Sequence, residues 1–168
     1  KKYLLLSLFV ALINVFLVLF FFFPHYQHTD TPAYFSAIKN INGDKSQEIA
    51  PYRILKPMPI LIGVLLSKFT AVEDTLILQS IFFYFLSVIL IYFIVRRIYQ
   101  NEKQAFFGAV LFGGAYPALA YGLASLTDMG GWFFFLFCVL LSLNFIKNPD
   151  IKSAALPGFV AGFGMLFK

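Results

Sequence analysis

Charged residues are scarce in this sequence. Asp, Glu, Lys and Arg make up 12% of its 168 residues, against about 25% in ordinary soluble domains. Apolar residues reach 60%, so a soluble fold of this size would have too little polar surface to cover its core. Lipid removes that difficulty, because the outward faces of spanning helices are then apolar too. Cysteine is almost absent: Cys138 stands alone inside an apolar run, which excludes a disulfide framework and reads as a small packed hydrophobe. Also missing are a Gly-rich phosphate loop, a nucleophile elbow and a Cys/His metal pattern. No basic stripe is interleaved with exposed aromatics, so the net charge of +5 does not point to a nucleic-acid partner.

What is present is a series of long uncharged runs. Residues 75–95, 104–127, 129–146 and 153–167 contain no acid or base, and 3–38 contain only Asp30. A bilayer core takes about 20 helical residues. The fold class expected is therefore all-α integral membrane, with about five transmembrane helices at 4–23, 75–95, 104–127, 129–146 and 153–168. A long extracytoplasmic loop, 24–74, follows the first. The first run is longer than a signal-peptide core and ends in Phe-Phe-Phe-Pro-His without a small-residue cleavage site, so it reads as a retained helix. The last run stops with the chain, and the expectation is an N-terminal fragment of a longer protein, forming a single transmembrane unit that is inactive alone.

The apolar stretch 57–67 decides the topology. Lys56 and Lys68 bracket too few residues to span, which suits an interfacial or re-entrant helix. With that stretch kept out of the count, Lys1, Lys2, Arg96, Arg97, Lys103, Lys147 and Lys152 share one side with Glu102 and Asp150. That side then carries the whole net charge of +5, while acids and bases cancel on the other. The positive-inside rule makes the first side, and the N-terminus, cytoplasmic. Asp30 and Asp128 fall together on the far side.

The loop has its own signals. Asp30-Thr31-Pro32 is a helix start and Asn42-Gly43 a stop. Between them Tyr34, Ile38 and Ile41 share a face, as in a short amphipathic surface helix. Another start lies at Pro57. Gly158 and Gly162 have the spacing of a close helix contact, and Pro117 predicts a kink in the third span. Asp30 and Asp128 read equally as helix caps or as functional carboxylates, since a helix start holds a carboxylate ionised and fixed in direction. Arg53, Lys56 and Lys68 read as snorkelling bases or as a cradle for a lipid phosphate. His25 and His28 lack a third ligand at a defined spacing, so interfacial histidines are the better reading than a metal site.

The order of these features resembles the N-terminal part of the GT-C superfamily of membrane glycosyltransferases, of the protein O-mannosyltransferase and lipid A aminoarabinose transferase type. The resemblance rests on Asp30-Thr-Pro-Ala-Tyr34, Lys56-Pro57-Met58-Pro59-Ile60, Arg96-Arg97-Ile98-Tyr99, Thr127-Asp128-Met129 and the glycine-rich run Gly158 to Lys168. Two places where many members carry a further acid hold Thr31 and Leu55, so a two-carboxylate site within the first loop is not expected. What the resemblance implies is transfer of a sugar from a polyprenyl-phosphate carrier to an unknown acceptor on the extracytoplasmic face. It implies Asp30 as base and Lys56, with Arg53 or Lys168, on the departing phosphate. Asp128 would orient the acceptor or, with Asp30, hold a divalent metal. The alternatives are a polytopic transporter or channel fragment and a non-catalytic scaffold.

Overall fold

The structure, a computed structural model, describes residues 1–22, 30–51, 55–123, 127–147 and 149–167. Its elements are α1 (Lys2–Phe22), α2 (Thr31–Ile41), α3 (Pro57–Leu66), α4 (Val72–Tyr99), α5 (Glu102–Gly114), α6 (Tyr116–Ala120), α7 (Asp128–Lys147) and α8 (Ile151–Met165). Three of them, α1, α4 and α7, are long and apolar enough to cross a membrane; α3 and residues 154–165 of α8 form shorter apolar helices. This is an all-α integral membrane protein.

Helix α4 is the central post. Over half of its most apolar window (56%) is buried inside the protein, against 17% for α1 and α7. The exposed sides of α1 carry Leu5, Phe9, Leu12, Phe16 and Phe20, side chains that only lipid accommodates at that density. Its buried side sets Ala11 and Val15 in the main core with Phe83, Tyr84, Val88 and Tyr92 of α4 and Ala105 and Ala109 of α5. At 28 residues α4 is about 42 Å long, more than the roughly 30 Å hydrocarbon core. Its charges sit only at its ends, Glu73 and Asp74 in the first turn and Arg96 and Arg97 in the last.

The third run differs from the single kinked helix expected over 104–127. It is two helices, and the break falls at Ala115, which is extended (φ −66°, ψ 137°). Pro117 has no N–H to donate and suits the first turn of a new helix, which is where it lies in α6. Gly113 and Gly114 weaken the end of α5. A break leaves orphan carbonyls, which lipid cannot satisfy. Here the Tyr84 hydroxyl donates to Gly113 O at 2.8 Å and accepts from Asn14 Nδ2 at 3.3 Å. A Cβ on Gly113 would lie 3.0 Å from that hydroxyl, so the glycine makes room for the bond that heals the break.

The glycine spacing at 158 and 162 does not mark a contact: a Cβ at either position meets nothing within 4 Å. Close approach occurs instead at Gly108 against Val95, Gly164 against Phe134, Gly63 against Ile38 and Gly130 against Phe167. Cys138 is free, and its thiol donates to Pro157 O of α8 at 3.4 Å.

The bundle has two unlike ends. At one, the short connection 100–101 turns α4 into α5: Gln100 takes the left-handed conformation (φ 52°) and Asn101 Oδ1 caps α5 by accepting from the Lys103 and Gln104 amides. This is the turn pole. The other, the loop pole, carries α2 and α3.

Candidate functional site

The loop pole is assembled from four chain segments that are remote in sequence. Helix α2 begins after Asp30 with Pro32 in its first turn and stops at Asn42, where Gly43 reverses the chain at φ 110°. Its buried face is Thr31, Tyr34, Ala37 and Ile38. Ile41, expected on that face, is exposed and lies in the last turn of α2. The face packs on Ile60 of α3 and Leu76 of α4, and Ile38 fills the space left by Gly63. Polar contacts fasten the rim: Lys39 Nζ pairs with Glu73 at 2.7 Å, and Asn42 Nδ2 donates to Ser67 Oγ at 2.8 Å. Buried Gln79 on α4 donates to Pro59 O at 3.1 Å. The ten residues of α3 reach about 15 Å, half of what a crossing needs, as its brackets Lys56 and Lys68 led one to expect.

Three contacts close these segments into a ring. The Tyr34 hydroxyl lies 3.2 Å from Thr127 Oγ1, in hydrogen-bond contact. Met58 N donates to Leu166 O at 3.4 Å. Phe167 is buried against Gly130 and against the rings of Phe83 and Phe134. Asp30 stands one turn before Tyr34, about 6 Å along the helix axis, and Asp128 directly follows Thr127. Lys56 precedes α3 two residues before Met58. The starts of α2, α7 and α3 and the end of α8 therefore meet at one end of the bundle, bringing with them Asp30, Asp128 and Lys56. All three residues are half-buried, neither sealed in the core nor loose in solvent.

The Asp30 side chain makes no capping hydrogen bond to α2, so simple capping does not explain the acid at that position. Arg53 and Lys168, the other two expected phosphate ligands, lie outside the described residues, as do His25 and His28. Among the described residues no group of three or more His, Cys, Asp or Glu could hold a metal ion. Tyr34 was legible as part of the loop helix's apolar face, and Thr127 only as the neighbour of Asp128. Their hydroxyls, which join those acids' helices, gave no separate signal. Gln79 and Asn14 did carry one, as lone amides in apolar runs.

Residues 57–168 match the family model of dolichyl-phosphate-mannose-protein mannosyltransferases. The chain belongs to that family. Comparison with curated proteins and with solved structures gives no match. Membership makes this a membrane glycosyltransferase of the mannosyltransferase type and sets the transporter and scaffold readings aside. The matched part includes Asp128, the Arg96-Arg97 pair and the run to Lys168; Asp30 and Arg53 precede it, and Lys56 adjoins its first residue. For Asp30 and Lys56, the link to this family is the contact of Tyr34 with Thr127 and of Met58 with Leu166, which joins their segments to the matched part.

Proposed function

We propose that the loop pole transfers a sugar from a polyprenyl-phosphate carrier to a hydroxyl acceptor on the extracytoplasmic face, with Asp30 as the base. The acceptor oxygen attacks the anomeric carbon of the sugar as its proton passes to the Asp30 carboxylate. The bond from that carbon to the phosphate oxygen breaks, and the phosphate leaves with the electron pair. A phosphate leaves well without protonation, so one carboxylate suffices where a glycosidase generally needs two. Lys56, assisted by Arg53 and Lys168, offsets the charge that grows on the departing phosphate. Asp128 orients the acceptor.

The observation that carries this reading is the Tyr34–Thr127 contact, which fastens the helix headed by Asp30 to the helix headed by Asp128 within a chain of the mannosyltransferase family. The orientation is supported by charge: the bases at 96, 97, 103, 147 and 152 belong to the opposite pole, where the positive-inside rule expects cytoplasm. The test is sugar transfer by the full-length protein, in membranes, from a polyprenyl-phosphate sugar to a hydroxyl acceptor. Replacing Asp30 with Asn keeps shape and removes the base, and turnover should fall about 100-fold or more while the protein folds and inserts as before. Undiminished turnover removes Asp30 from the mechanism.

A further inference from the structure

The turn pole contains a groove of about 820 Å³ between the C-terminal ends of α4 and α7. Arg96, Arg97 and Lys147 line it, with Asn144 beside them and Phe93 and Leu140 among its apolar walls. The transfer reaction, at the other end of the bundle, uses none of these residues. A base at a helix C-terminus is unremarkable by itself, because the helix dipole favours one there. Two helices turning three bases into one cleft with apolar walls is a different arrangement. The acids nearest in sequence are Glu102, which accepts from Arg96 at 3.2 Å, and Asp150; neither lines the groove.

We infer that this groove binds an anionic phospholipid, with its phosphate held by Arg96, Arg97 and Lys147 and an acyl chain laid along Phe93 and Leu140. Charge and shape both select that ligand. Guanidinium groups match a phosphate in a forked geometry that a point charge lacks, and basic pockets between spanning helices at the cytoplasmic side suit acidic headgroups. A free phosphate would gain nothing from the apolar walls. A zwitterionic lipid would bring its own cation towards the three bases. The bound lipid would tie together two helix ends whose cationic groups otherwise repel.

The experiment uses the full-length protein in detergent, titrated with phosphatidylglycerol and with phosphatidylcholine of the same chains, and reads bound lipid by native mass spectrometry. Phosphatidylglycerol should bind at least about tenfold more tightly, at the scale of one to two surface charges. The double substitution R97A/K147A should abolish that preference, and millimolar inorganic phosphate should not displace the lipid. N144W, which fills the cleft and keeps every base, should weaken phosphatidylglycerol binding, so the inference stays testable should the double variant fail to fold. Equal binding of the two lipids overturns it. So does a preference that survives either substitution, and displacement by inorganic phosphate would assign the bases to a soluble anion instead.

Discussion

The two poles are built from the same helices and differ in what joins them. At the turn pole, Tyr99 passes to Glu102 through two residues and Lys147 to Ile151 through three, so the chain has no room to place anything but caps, bases and the groove they line. At the loop pole, about 50 residues separate α1 from α4, and they fold into α2 and α3 with a core of their own around Tyr34, Ile38, Ile60 and Leu76. The long connection supplies polar side chains that no spanning helix tolerates and lays them over the starts of α7 and α4. Short connections secure topology; the long one is where the proposed reaction is placed.

That contrast can be broken by substitution, and the largest effects belong at the loop pole. Lys56→Gln should lower kcat about tenfold to 100-fold with no change in folding, whereas Lys45→Gln, exposed in the same loop and outside the ring of contacts, should leave transfer within about twofold of the parent. Transfer assays in membranes check both. An equal loss in the two would reduce the role of Lys56 to general surface charge.

Next come the packing contacts that close the ring. Gly130→Val forces Phe167 out of the space it fills and should destabilise the protein by about 1–3 kcal/mol in denaturant unfolding, with transfer falling along with stability. Tyr84→Phe leaves Gly113 O at the helix break without its donor, at a cost of about 1–3 kcal/mol by the same measurement. The smallest effect is expected at α8: Gly158→Ala meets nothing within 4 Å and should be neutral or stabilising by up to about 1 kcal/mol. A large loss there would reveal a partner surface on α8.

Of the five charge-free runs expected to span, three form helices long enough to cross, with boundaries within a few residues of those expected; 104–127 is divided and 154–165 is a shorter apolar helix. The shortness of the apolar helix at 57–66 was legible from its flanking lysines, and the stop at Asn42-Gly43 from its turn chemistry. The break at Ala115 was only half legible: Pro117 announced a disturbance, but whether a helix bends or parts depends on a partner for the freed carbonyl. That partner, Tyr84, is 29 residues away. The pair Gly158 and Gly162 misled for a related reason, since small residues permit close approach without naming a neighbour, and the chain placed its large rings over Gly130 and Gly164. Likewise Asp30 and Asp128 were separately visible from their helix starts, while the Tyr34–Thr127 bond that draws those starts together spans 93 residues and leaves no local mark.

Compartment is the most direct test of the account. Single cysteines in place of Asp30, Asp128 and Lys103, in a Cys138→Ser background of the full-length protein, can be challenged with a membrane-impermeant maleimide on intact cells. Reaction at 30 and 128 from outside, with 103 reached only after permeabilisation, is the expected pattern. Reaction of 30 and 128 from opposite faces of the membrane would mean that no single site contains them.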